Sequence, residues 1–308
     1  MNVELQKAYE DIRGGRAAFY EQRRGLIAVW GREAIQFLDG MITNDMKTLE
    51  DGGQMLAAFP NAQGRLLAVV RVLRQGDRFL FETEEATWEK VFQNLFRFTF
   101  AGDFFVEDLS ADHAYFELFG PKENIYHPEV AERWPGAYCF ELPYGCGYFM
   151  PNELAGKFRE FLSGENGCIV IADELYETLR IENGIPKYGV DMDETTIVPE
   201  LGLDGLISYN KGCYVGQEII ARIYFRGHVA KQLTGLVLSG EGLDGLTSGT
   251  ELMTADNKNA GRITSSTFSP GLEKTVALAF VRYDYLNAGT ELTINDVPAE
   301  VHVLPFVG

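Results

Sequence analysis

Cysteine and positive charge are both scarce in this 308-residue chain. Its four cysteines, Cys139, Cys146, Cys168 and Cys213, are too few and too scattered for the disulfide framework of a small secreted domain, so reduced thiols are expected. Lys and Arg number 27 against 45 Asp and Glu, and the formal charge of −18 repels a phosphate backbone, which argues against stable nucleic-acid binding. No stretch approaches the roughly 18 apolar residues that span a bilayer, and the first twenty residues lack the apolar core of a signal peptide. No membrane association is expected, and a cytoplasmic location is. No two cysteines stand at C-x-x-C spacing, and His113, His127, His228 and His302 lie far apart, so a closed zinc site is not expected. The phosphate-cradling G-x-x-x-x-G-K-[ST] run is missing as well.

What is present is an ordinary globular mix, 46% hydrophobic and 23% charged, with length enough for two or three packed units. In GREAIQFLDGMITND, Ala34, Phe37, Leu38, Met41 and Ile42 recur at helical spacing; Thr43, Asn44 and Asp45 then turn the chain, and this exit is a candidate pocket wall. RLLAVVRVL and DRFLFET read as strands of a hairpin turning at Gln75–Gly76. Thr83 is placed to cap a helix whose apolar side is Trp88, Val91, Phe92, Leu95 and Phe96. After a β-rich stretch from Ala114 to Met150, a helix follows Pro151 with Leu154, Phe158, Phe161 and Leu162 inward, closed by Gly164. Another helix spans about Ala172 to Asn183, with Gly184 and Pro186 as stop signals. Beyond Lys231 short strands (LTGLVL, GRITSSTF, TVALAFV, TELTI, AEVHVL) alternate with turn residues, the pattern of a small antiparallel barrel or sandwich, with a boundary near Gln232 to Gly235.

Three segments invite a chemical reading. GEGLDG at 240–245 matches the dinucleotide fingerprint by letter, but no helix is expected to begin there, so it reads as a turn; GLDGL also occurs at Gly202 to Leu206 as reuse of the same turn. In NKGCYVGQEIIARIYFRGHVAK a helix is expected from Gln217, with Cys213 just before it. The helix dipole and the cation of Lys211 would then favour a thiolate. Lys211, Arg222, Arg226 and Lys231 oppose only Glu218 there, an anion-binding patch in an acidic chain; the alternative is a solvated helix with a buried cysteine. Glu182 continues the apolar face of its helix after Leu175 and Leu179, where burial and the dipole both disfavour its charge. It needs strong donors, either a protein Arg or Lys, or a ligand with two parallel N–H groups such as an aminopyrimidinone ring; Tyr188 is placed either to stack on such a ring or to join the core.

KGCYVGQE, from Lys211 to Glu218, resembles the signature of the YgfZ and Iba57 group, folate-binding relatives of the glycine-cleavage T protein. GREAIQFLDGMITND, NAQGRLLA at Asn61 to Ala68, LRIENGIPKYGVD at Leu179 to Asp191 and ITSSTFSPGLEKTVALAFV extend the resemblance over nearly the whole chain. It implies an α+β folate-binding module of two subdomains over residues 1–232 and a C-terminal antiparallel β-barrel over 233–308. It implies tetrahydrofolate or a derivative as cofactor, Glu182 as the residue that grips the pterin, and Tyr188, Asn44, Gln217, Arg222 and Arg226 around it. Cys213 becomes the characteristic reactive thiol, with Lys211 beside it, and iron–sulfur proteins or their assembly factors the partners, including radical enzymes that modify tRNA. Aminomethyltransferases of the superfamily resemble G-G-I-x-D-D where this chain reads Gly64–Arg65–Leu66–Leu67–Ala68–Val69. With no carboxylate there to handle a proton, a helper without turnover is expected, the alternative being a folate-dependent aminomethyl- or methyltransferase acting on a small amine.

Overall fold

In the computed structural model, which describes residues 3–121, 133–239 and 246–307, the chain passes back and forth between two packing units. The first comprises Met1–Phe59, Leu67–Asp173 and Gly205–Val215; the second comprises Pro60–Leu66, Glu174–Asp204 and Gly216–Gly308.

The first unit carries helix α1 (Val3–Arg13) and two five-stranded sheets. One sheet runs β3 (Gln54–Pro60), β4 (Leu66–Gln75), β5 (Arg78–Glu84), β2 (Arg24–Trp30), β6 (Phe105–Asp108); the other runs β10 (Ile169–Val170), β1 (Ala18–Gln22), β7 (His113–Phe119), β9 (Gly145–Pro151), β8 (Tyr138–Leu142). The expected hairpin is β4–β5, with Gln75 paired to Arg78 around a Gly76 at φ +60°. In β4, Leu66, Ala68 and Val70 are buried and alternate with half-buried neighbours, as a period of two requires. Helix α2 (Ala34–Met41) packs Ala34 and Leu38, with Ile42 just past its end, against Ile27, Val70 and Phe81 in one apolar core.

Helix α3 (Glu85–Phe96) corrects two expectations. Its N-cap is Glu84, without a side-chain cap; the Thr83 hydroxyl instead meets Thr87 Oγ1 at 2.7 Å and donates to Val69 O at 3.2 Å, because as a strand residue it faces its sheet neighbour. Phe96 is exposed and stacks on Phe92, whereas Val91 and Leu95 are buried. Helix α4 (Asn152–Glu160) follows Pro151 and buries Phe158, with Phe161 and Leu162 behind it. Gly164 does not end it. The chain widens into a π-turn over Phe161–Glu165, and Gly167, at φ +59°, makes the exit.

The second unit is a closed antiparallel barrel in the order β11 (Lys231–Leu238), β14 (Lys274–Arg282), β13 (Asn259–Ser269), β12 (Glu251–Met253), β15 (Glu291–Ile294), β16 (Val297–His302). Strand β12, too short to show alternation, was not legible in the sequence. The near-continuous apolar run of β14 has a physical reason, since both of its faces are covered. Ala277, Ala279 and Val281 point into the barrel with Leu236, Ile263 and Val301, while Val276, Leu278 and Phe280 pack outside against Ile181 and Phe306. Ile181 lies on helix α5 (Asp173–Glu182), so the barrel surface buries that helix as well. Helix α6 (Gln217–Arg226) buries only Ile220 fully. The run at 240–245 lies outside the described residues.

Candidate functional site

The predicted site residues fall in different units. In the first unit, Cys213 sits on the strap Gly205–Val215 and is the exposed member of the four cysteines. Cys146 and Cys168 are buried and Cys139 is half-buried. Hydrogen bonding to Cys146, together with burial, pushes the Cys139 thiol up, and burial does the same to Cys168, so these sulfurs are held as thiols. Cys139 and Cys146 lie on one face of the β8–β9 pair, opposite Tyr148 and Glu141 respectively.

Lys211 corrects the electrostatic argument. Its side chain is fully buried, and its ammonium donates to the carbonyls of Asp39, Ile42 and Asn44 at 2.6, 2.9 and 2.6 Å and pairs with the Asp39 carboxylate at 3.2 Å. The cation serves the C-terminus of α2, where helix carbonyls lack partners and the dipole is negative. Burial pulls the Lys211 pKa down, partly offset by Asp39. Asp39 is pushed up by burial but pulled further down by the charge of Lys211 and by hydrogen bonds from Lys211, Lys47 and the Met46 N–H.

Asn44 is likewise committed to the chain: its Nδ2 donates to Leu56 O at 2.8 Å and Gly205 O at 2.7 Å, and its Oδ1 accepts from Asp45 N at 2.9 Å. Both amide hydrogens being used, it frames the strap and has no donor left for a cofactor. Sequence reasoning missed Asp39 and read Thr43 only as a turn residue, whereas its hydroxyl donates to Leu206 O at 2.6 Å and accepts from Ala58 N at 2.9 Å. The signal available was an aspartate on the inner side of an apolar helix.

In the second unit Glu182 is fully buried at the end of α5. Its Oε1 accepts from Ser269 Oγ at 2.5 Å, and its backbone carbonyl accepts from Phe306 N at 2.8 Å. The donor is thus a barrel hydroxyl, which sequence spacing had no means to indicate. Tyr188 is half-buried and bridges Met192. Gln217 opens α6 behind Gly216, whose φ of +79° and contact with Asn61 O and the Gly64 backbone leave no room for a Cβ. Gly64 in turn lies against Ile219 and Ile220, so NAQG and GQE form one joint. Arg222 and Arg226 are exposed, one turn apart, and pair with no described residue.

A cavity of about 350 Å³ elsewhere in the first unit is lined by Arg23, Arg24, Trp88, His113 and Tyr115 among others, and contains none of the predicted site residues. No group of three or more potential metal ligands occurs among the described residues, and none of their helices is long and apolar enough to cross a membrane.

Residues 6–126 match the GCVT N-terminal domain, and residues 231–307 match the glycine cleavage T-protein C-terminal barrel domain. The chain belongs to the GcvT-like aminomethyltransferase superfamily. Among superfamily relatives, an aminomethyltransferase of Thermoanaerobacter pseudethanolicus is 25% identical over 313 residues, covering 93% of this chain and 83% of the relative. An iron–sulfur cluster assembly factor IBA57 homolog, mitochondrial, of Mycosarcoma maydis is 28% identical over 235 residues, covering 69% and 55%. The crystal structure of glycine cleavage system aminomethyltransferase T from Bartonella henselae superposes with a TM-score of 0.86 at 21% identity, over 98% of this chain and 89% of that one. Within the superfamily fold, the start of β4 carries Leu67, Ala68 and Val69, with Ala68 in the core.

Proposed function

We propose that this chain is a cytoplasmic tetrahydrofolate-binding protein that supports iron–sulfur cluster assembly or repair, including clusters of tRNA-modifying radical enzymes. The observation that carries this reading is the contrast between Cys213, exposed on a strap anchored at several points, and the other three sulfurs, which are packed away. In this reading Cys213 offers its thiol to sulfur, iron or a partner thiol. Glu182 takes two pterin N–H groups alongside Ser269, Tyr188 stacks on the ring, Gln217 lies at its edge, and Arg222 and Arg226 meet the glutamate tail. Folate, when bound, supplies one-carbon carrying capacity; the chain's own part is to hold it. The Mycosarcoma maydis relative's description as an assembly factor supports the cluster role.

The second reading, a folate-dependent aminomethyl- or methyltransferase, is favoured by the names of several relatives. Against it stand Ala68 and Val69, which have no proton to give or take.

Equilibrium binding of tetrahydrofolate to wild type and Glu182→Gln tests the first reading. A loss of tenfold or more, roughly 1.4 kcal/mol, is expected, because the amide keeps an acceptor for Ser269 but cannot receive two N–H groups. Unchanged affinity would reduce Glu182 to a strut between α5 and β13. A Cys213→Ala variant is expected to fail to restore iron–sulfur enzyme activity in a deletion strain, and turnover of a methylamine by the wild-type protein would favour the transferase.

A further inference from the structure

An ammonium has three N–H donors and no acceptor, and the carbonyls of Asp39, Ile42 and Asn44 share them with the Asp39 carboxylate. Lys211 therefore acts as a C-cap for α2 delivered from 172 residues along the chain, with the Asp39 carboxylate as counter-charge. The rest of its segment is tied to the same place. Gly205 O and Leu206 O accept from the Asn44 amide and the Thr43 hydroxyl, Ser208 N donates to Thr43 O at 3.0 Å, and Val215 N donates to Gly40 O at 3.0 Å. Tyr214 is buried, its ring centre 5.0 Å from Lys211 Nζ, and burial pushes its hydroxyl up to about 12. Between anchored Lys211 and buried Tyr214 only Gly212 and Cys213 are left as an exposed arch.

We propose that Lys211 is a positioning residue for Cys213: by clasping the end of α2 it fixes both feet of a two-residue arch and so sets the direction in which the thiol is presented. The inference rests on the reading of Cys213 as the working thiol, and it replaces a charge effect on sulfur with a mechanical one. Without the clasp the loose stretch grows from two residues to everything between Ser208 and Val215.

Hydrogen exchange and Cys213 alkylation by iodoacetamide across a pH series, on full-length wild type, Lys211→Met, Lys211→Arg and Asp39→Asn, test it. Arginine separates the two roles, because it keeps the charge but its planar fork cannot be satisfied by three carbonyls converging on one point. Amides of 207–215 are expected to exchange at least tenfold faster in both Lys211 variants. The alkylation rate should change by a common factor at every pH, with its pH midpoint unmoved. Restoration by Lys211→Arg, with a midpoint shift in Lys211→Met alone, would overturn the proposal in favour of a charge effect. Unchanged exchange in β2, β4 and β5 reports folding of the first unit. Should the Lys211 variants fail to fold, Asp39→Asn decides, with about threefold faster exchange of the strap expected and no change overturning the clasp. Neither readout needs folate or a client protein, so a Cys213→Ala variant that proved fully active would sink the functional reading and leave the clasp to stand or fall on exchange.

Discussion

Lys211 with Asp39 in the first unit, and Arg180 with Asp191 in the second, each bury a cation against a carboxylate, yet they differ in what they hold. Arg180 reaches Asp191 Oδ2 at 2.9 Å, Ile185 O at 3.1 Å and Glu177 at 2.7 Å, while Asp191 also accepts from Thr264 and Ser265 of β13 at 2.5 and 2.7 Å and from Lys187 N at 3.0 Å. Its partners join α5, the loop after it and the barrel wall, and the two side chains are 2% and 0% exposed. The Lys211 clasp ends two residues from an exposed sulfur. The same physics, a buried charge fully met by acceptors, locks a joint in one unit and holds a reactive group outward in the other.

The largest expected effect follows from that difference. Asp191→Ala breaks a buried ion pair, leaving the Arg180 guanidinium with Glu177 and Ile185 O alone, and removes the acceptor of Thr264, Ser265 and Lys187 N, so a loss of about 3–5 kcal/mol is expected by urea unfolding of the barrel. Asp39→Asn should cost clearly less, because Asp39 is 8% exposed, its second cation Lys47 is largely solvated, and the three carbonyls on Lys211 remain. Equal losses would erase the distinction between joint and clasp.

These joints explain which parts of the sequence were readable. Periodicities of 3.6 and 2 located α2, α3 and α4, each of which buries one apolar face, while α5 and β14 were found from their stop signals and apolar runs although both are covered on more than one face. Endings were less legible: Thr83 satisfies its hydroxyl across the sheet, and the π-turn past Gly164 depends on how Phe161 and Leu162 pack. The site was legible as a set of residue types but not as a set of directions. Lys211 stands two positions from Cys213 in sequence, yet its ammonium points to carbonyls contributed by residues 39–44. Asn44 looks like a pocket residue until both its amide hydrogens are traced to carbonyls. Glu182 was recognised as a stranded carboxylate, whereas its Ser269 donor lies 87 residues away.

An intermediate effect sharpens the comparison within the first unit, where two carboxylates respond to pH with opposite sign. Glu117, buried on β7 and hydrogen-bonded by Gln22 and Tyr144, is raised by burial despite Arg24. Its contribution to stability is complete below the unfolded value of about 4.3 and is lost as pH rises through its folded value. Asp39 is lowered, so its contribution is present above about 3.9 and is lost as pH falls through its folded value. Unfolding free energies from urea titrations between pH 3 and 8 should therefore lose their high-pH decline in Glu117→Gln and part of their acid decline in Asp39→Asn, each decline being roughly 1.4 kcal/mol for every tenfold change in the folded group's proton affinity. The reverse assignment would show that burial, and not Lys211, governs Asp39.

The smallest expected effect on stability lies on α6, and it is the most useful for function. Arg222 and Arg226 touch no described residue with their charges, so Arg222→Ala and Arg226→Ala should leave urea midpoints within about 0.5 kcal/mol of wild type. If they meet the folate tail, each removes an exposed ion pair worth about 0.2–1 kcal/mol, a loss of about 1.4- to fivefold that shrinks with added salt. Because only the tail is involved, the loss should be larger for polyglutamylated than for monoglutamyl tetrahydrofolate. Equal losses for both forms, or none for either, would detach the helix from the ligand and leave its two free cations without a part in folate binding.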